Sequence, residues 1–185
     1  FTLKIKEKIG CDKILGFVID DEALDKAKKK GIIVKKINLD APLPFRDDSF
    51  DVVTSNQVIE HLFYPVRFMR EVYRIVKSGG YCVISTENLA SWDNIFALAL
   101  GFTPFSMEFD EGLYKIGNPL SPHEKELVDC STPHVRVLSW RGLIELAEFV
   151  GFKVERVIGS GHVLGRLGEL LNQKNARFIT LKVRK

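Results

Sequence analysis

Cysteine is scarce in this chain, and its number is odd. Cys11, Cys82 and Cys130 carry no C-x-x-C spacing, which argues against a disulfide framework and a cysteine-based zinc site. Long apolar runs are also missing. The most extended, "NIFALALGF" over 94–102, falls well short of the roughly 20 residues that span a bilayer. The opening residues show no signal-peptide pattern, so a cytoplasmic protein without membrane association is expected. Charge of one sign is lacking too: 27 basic against 24 acidic residues leave a formal +3. That is too even a balance to favour a nucleic-acid partner by electrostatics. Internal repeats and low-complexity segments are absent, and neither Ser85 nor Ser160 sits in the G-x-S-x-G setting of a hydrolase nucleophile.

What is present is 185 residues with 45% apolar and 28% charged side chains, suited to one globular domain over 1–185. "FTLKIKEKIG" has the pattern of the C-terminal part of an amphipathic helix, with Gly10 as its stop. "KILGFVI" suits a buried strand, followed by a helix "DEALDKAKKKG" whose acids open it and whose lysines close it. "IIVKKINL" is a second strand, and "DAPLPFRDDSF" is a loop. "FDVVTSNQ" is a third strand. "PVRFMREVYRIVK" is a helix with proline in its first turn and an apolar face of Phe68, Met69, Val72, Tyr73 and Val76, ended by Gly79 and Gly80. "YCVISTE" is a fourth strand. Residues 89–138 are aromatic, contain four prolines and show no sustained period, as expected of a lid or acceptor-binding insertion. Regularity returns with a helix, "SWRGLIELAEFVG", capped by Ser139. A strand "FKVERVIG", a helix "VLGRLGELLNQ" and a closing strand "RFITLKVRK" follow. Strands alternating with helices indicate an open α/β sheet.

Three stretches occur in an order that resembles the class I S-adenosylmethionine-dependent methyltransferases. They are "PLPFRDDSFDVVTSNQVIEHL", "REVYRIVKSGGYCVISTEN" and "HVRVLSWRGLIELAEFVGFKVERVIG". The likeness is strongest to the subgroup with EHL after the family's fourth strand and STxN after its fifth. Ser78 stands where the family's R-x-L-K-P-G-G run has proline. The resemblance implies a Rossmann-like, mostly parallel sheet with an antiparallel last strand and helices on both faces. It also implies S-adenosylmethionine as cofactor, bound across the C-terminal ends of the central strands.

Position by position, the resemblance places Asn38 where an acid commonly meets the adenine amino group, and an amide oxygen can accept that bond. Leu39 would offer backbone N–H to the ring. Asn56 and Gln57 would hold the methionine part. The family pattern G-V-D-I-S-E-E-A-L, laid on Gly16–Leu24, puts Val18 at the ribose position; Asp20 becomes a helix cap within reach of the ribose hydroxyls. Asp51 matches a frequent family acid, and it equally suits a residue that holds the preceding turn. Glu60 and His61 follow the same strand edge. His61 is the candidate general base, since its unperturbed pKa of roughly 6.5 lies near working pH; packing against the sheet with a local hydrogen bond is the other reading. His134 and Arg136 suit either an anionic acceptor or anchorage of the lid. Tyr114 is the candidate acceptor contact among the lid aromatics. His123 and His162 are isolated, and no His/Cys/acid spacing suggests a metal.

The family's glycine-rich first turn is not present, and its strand would lie upstream of Phe1. The chain is therefore expected to be a fragment or processed form of a longer enzyme, unless another segment fills the gap. "GSGHVLG", with Gly159, Gly161 and Gly165, imitates a dinucleotide fingerprint without the later acid that motif requires. The expected function is methyl transfer to a small-molecule acceptor. The alternative is a cofactor-free methyltransferase-like scaffold or regulatory domain.

Overall fold

The computed structural model describes residues 2–11, 13–18, 21–107, 116–120, 133–161 and 173–185, with the backbone alone at 21–23. The chain divides into two compact units, Phe1–Leu43 and Pro44–Lys185.

The first unit holds α1 (Thr2–Ile9), β1 (Leu15–Val18), α2 (Asp21–Lys29) and β2 (Ile33–Lys36). β1 and β2 pair in parallel from Leu15↔Ile33 to Val18↔Lys36, with α2 as the crossover. The ladder is prolonged by one bond, from the Ile37 N–H to the Val18 carbonyl at 3.0 Å. The expected elements are present, but burial is lower than the apolar run in β1 predicts. Every β1 residue is only half-buried, α1 buries no residue, and Ile33 in β2 is 65% exposed.

The second unit is a four-stranded sheet with helices. Its strands are β3 (Phe50–Asn56), β4 (Val76–Glu87), β5 (Lys153–Ser160) and β6 (Phe178–Arg184), in the order β3-β4-β6-β5. β3 and β4 run parallel, and β6 lies between β4 and β5, antiparallel to both. Alternation sets the faces: Cys82, Ile84 and Thr86 of β4 and Ile179, Leu181 and Val183 of β6 are all fully buried.

Helix α3 (Pro65–Ile75) packs on β4 through Phe68, Met69, Val72 and Ile75, spaced to share one helix face. Fully burying such side chains stabilises by about 1.5–3 kcal/mol each. α5 (Trp140–Phe149) packs on β5 and β6, and its N-cap Ser139 accepts from the Gly142 N–H at 3.2 Å.

Two expectations change here. The helix expected to run on to Gly79 stops at Ile75, and β4 begins at Val76, paired with Phe50. The loop before β3 sets that stop: the N–H groups of Asp48 and Ser49 take the carbonyls of Arg74 and Ile75 at 3.0 and 2.8 Å. Arg74 fastens the same loop, donating to the Phe45 carbonyl at 2.7 Å and to Asp47 at 2.8 Å while paired with Glu71. Gly80 then lies inside the strand, at the irregularity between the Phe50 and Val52 pairings. A Cβ there would stand 2.8 Å from the Asp51 carbonyl oxygen.

The second change is α4 (Trp92–Ala99), a helix in the stretch expected to be irregular. Its polarity is inverted. Asp93 and Asn94 are buried with Ala97, while Trp92, Phe96 and Leu98 are exposed. The helix expected at 163–173 lies almost wholly outside the described residues. No helix among the described residues is long and apolar enough to cross a membrane.

Candidate functional site

In open α/β sheets, ligands gather at the carboxyl ends of the parallel strands. Here that edge is formed by Asn56 at the end of β3 and Glu87 at the end of β4. Just beyond Asn56 the chain turns sharply. Gln57 has φ +53, a left-handed conformation that costs a non-glycine residue about 1–3 kcal/mol. It is held by its N–H, which donates to the Ser85 carbonyl at 2.8 Å, and by Nε2, 3.5 Å from Ser85 Oγ. Asn56 itself is exposed.

The turn leads into a short 3-10 segment, Ile59–His61. Glu60 is fully buried. Its Oε2 accepts from Thr86 Oγ1 of β4 at 2.8 Å, and Oε1 has no hydrogen-bond partner. Its backbone carbonyl accepts from the N–H groups of Val135 and Arg136 at 2.8 and 3.0 Å, which ties the segment before α5 to this turn.

The same tie brings two histidines together. The rings of His61 and His134 lie with centroids 4.8 Å apart. Carbonyl oxygens only accept, so His61 Nδ1–H donates to Pro133 O at 3.2 Å and His134 Nδ1–H donates to Ser106 O at 3.0 Å. Each neutral ring therefore carries its lone pair on Nε2. Glu87 Oε2 stands 4.0 Å from His134 Nδ1. One potential ligand atom from each of Glu60, His61 and His134 lies within 4.8 Å of the others.

Arg136 does not join this cluster. It is exposed, its Nε donates to the Phe63 carbonyl at 3.2 Å, and it lines an open depression of about 450 Å3 that also contains Arg67, Arg70 and Tyr64. Asn38 lies in the first unit, and its Oδ1 accepts from the Asp40 N–H at 2.9 Å, which leaves a second lone pair on that oxygen. Leu39 follows it, half-buried. Asp51 is at the other end of β3 from Asn56, where Lys77 Nζ pairs with it at 2.8 Å and holds its carboxyl below the usual range. Asp20, Tyr114, His123 and His162 lie outside the described residues.

Asn88, the last residue of the STEN run, is fully buried and organises the ground beneath the site. Its Nδ2 donates to the carbonyls of Lys174 and Ala176 at 2.8 and 2.9 Å. Its Oδ1 accepts from the N–H groups of Ala90 and Trp140, both at 3.1 Å. One side chain thus joins the end of β4, the start of α5 and the approach to β6. Asn88, Thr86 and Glu60 are site-supporting residues that composition and periodicity do not single out; the only signal for them is the pair of motifs EHL and STEN.

The glycine decoy also has a structural account. A Cβ on Gly159 would fall 1.8 Å from the Gln173 carbonyl oxygen, so this glycine lets the 3-10 turn Gln173–Asn175 lie against β5.

A sequence profile described as a methyltransferase domain matches residues 1–84. A protein of Mycolicibacterium smegmatis named as a probable S-adenosylmethionine-dependent methyltransferase is 29% identical over 175 residues, covering 94% of this chain and 56% of that protein. The chain thus spans little more than half the length of that relative. Among solved structures, a Thermotoga maritima S-adenosylmethionine-dependent methyltransferase, named a possible histamine N-methyltransferase, superposes with TM-score 0.66 at 20% identity. That match covers 100% of this chain and 77% of the other. The [4+2]-cyclase SpnF superposes with TM-score 0.60 at 16% identity, covering 100% and 71%. The fold is the Rossmann-like one of these solved structures, and in sequence the chain is similar to a methyltransferase-domain profile over its first 84 residues and to that mycobacterial relative.

Proposed function

We propose that this chain is the methyl-transfer domain of a small-molecule methyltransferase of the EHL and STxN subgroup. The observation that carries this reading is Gln57. A strained, non-glycine turn at the carboxyl end of a parallel strand is a feature that a fold retains where a ligand approaches the backbone. When bound, S-adenosylmethionine supplies an electrophilic methyl group. Asn56 and Gln57 are assigned to its methionine part, Asn38 and Leu39 to the adenine, and Asp20 to the ribose. His61, with its Nδ1–H committed to Pro133, offers Nε2 to take a proton from the acceptor. His134, Arg136 and Tyr114 are assigned to the acceptor, and the arginines around Arg136 suit an anionic group on it. Much of the rate gain comes from alignment alone.

A scaffold or regulatory domain without cofactor is the second reading. Isothermal titration with S-adenosylmethionine and S-adenosylhomocysteine separates the two. The experiment uses this chain and a version extended by any coding sequence that precedes Phe1. Micromolar binding by either supports the enzyme, and no heat from both leaves the scaffold.

A further inference from the structure

We propose that Glu60, His61 and His134 form a binding site for a divalent first-row transition-metal cation, of the Zn2+ or Co2+ class. Three features converge on it.

The first is ligand type. Two imidazoles and one carboxylate match the donor preference of these ions, whereas Mg2+ and Ca2+ favour all-oxygen sets. Around one ion at about 2.0–2.1 Å from each donor, ligand atoms lie roughly 3.4 Å apart. One potential ligand atom from each of the three groups already lies within 4.8 Å of the others, so side-chain adjustments of up to roughly 1.5 Å per pair close the site.

The second feature is the outer shell. A metal-binding histidine ordinarily donates its other ring N–H to a carbonyl or carboxylate, which sets the tautomer and the ring orientation. Both rings do so here, to Pro133 O and Ser106 O. The Glu60 carboxylate is likewise oriented, by Thr86 Oγ1.

The third is independent of the cluster's mere existence. Glu60 Oε1 is a carboxylate oxygen on a fully buried side chain, and it has no hydrogen-bond partner. A buried polar oxygen without a partner is unfavourable, and a cation bound on that oxygen removes the deficit. The backbone supports the geometry as well, because the bonds from Val135 and Arg136 to the Glu60 carbonyl hold the two ligand segments together.

Three protein ligands leave at least one coordination position open, as in catalytic rather than structural sites. On the methyltransferase reading, that position suits an acceptor that presents an oxygen; with the cation bound, His61 and His134 are its ligands, and the base and acceptor-contact roles given above belong to the metal-free site. The site itself does not depend on that reading, because cation binding is measured without cofactor or acceptor.

The test uses untagged chain stripped with a chelator, then titrated with Co2+ by visible absorption and with Zn2+ in competition with a chromophoric chelator. One equivalent should bind, with d–d bands of reduced symmetry and a raised melting temperature. His61→Ala and His134→Ala should each weaken binding by roughly tenfold or more. His61→Asn and His134→Asn guard against misfolding, since the amide NH2 can keep the bond to the backbone carbonyl while the Nε2 ligand is lost. They should weaken binding to the same extent with unchanged circular dichroism. Absence of binding by folded wild type, or unaltered affinity in the folded Asn variants, overturns the proposal. S-adenosylmethionine titration in the presence of chelator reports separately on the function above.

Discussion

Thr86 Oγ1 donates to Glu60 Oε2 at 2.8 Å where both residues are wholly buried, joining the end of one parallel strand to the turn after its neighbour. Thr86→Val keeps the shape and removes the donor, leaving a buried carboxylate with neither side-chain oxygen bonded. Leaving a buried polar group unsatisfied costs about 1–3 kcal/mol, and a loss of that size is expected in urea unfolding with an unchanged m value.

Asn88→Ala should cost more. It strips side-chain partners from two carbonyls and two N–H groups in three parts of the unit. Partial rescue by water leaves an expected loss of about 2–4 kcal/mol. Equilibrium unfolding measures it, and a loss under half a kcal/mol would show that Asn88 is not the tie described.

Gln57→Gly separates strain from function. Glycine adopts φ +53 without the penalty, so stability should hold or rise despite the lost side chain. Affinity for S-adenosylmethionine should fall. Lower stability with unaltered affinity would remove Gln57 from the site.

Cys82 should be inert in the native state. Burial pushes its thiol pKa far up, so the reactive thiolate is suppressed. Peptide-level mass mapping after iodoacetamide should find Cys82 unlabelled in the folded protein and labelled in denaturant. Cys11, which is half-buried, should label in both.

Glu155 provides a pH test. Arg184 first, and then Lys182, hold its carboxyl down to about 2 from an ordinary 4.5. A depressed folded pKa contributes stability that is present above the unfolded value and lost as pH falls through the folded one. Glu155→Gln should therefore melt slightly below wild type at neutral pH, with the gap closing between about pH 4.5 and 2. A gap that stays constant across that window would mean the pairing contributes nothing in solution, as many exposed ion pairs do.

The strands, α3 and α5 were legible because their signals are local. A period of two or of 3.6, a proline at a first turn and a serine cap report on neighbours a few residues away. The early end of α3 was not legible. Its arrest depends on Asp48 and Ser49, which reach the last carbonyls of the helix from across the unit. Nor was α4, because its buried face is polar. Asn94 is satisfied by the Asn88 carbonyl and by Ser106 at 3.1 and 2.8 Å, and Asp93 is paired through Oδ2 with Arg177 at 2.8 Å. A pattern rule that sends apolar residues inward reads such a helix inside out.

The candidate site divides in the same way. The chain's motif order was enough to point to the methyltransferase fold, to Asn56 and Gln57 at a strand end, and to His61 beside them. Only the tertiary structure brings His134 onto His61 and leaves a buried Glu60 oxygen without a hydrogen-bond partner. The reason is physical. Periodicity and capping record what a residue does for its own element, whereas ligand convergence is set by backbone bonds between distant segments. Here those are the bonds from Val135 and Arg136 to the Glu60 carbonyl, which no spacing in the sequence encodes.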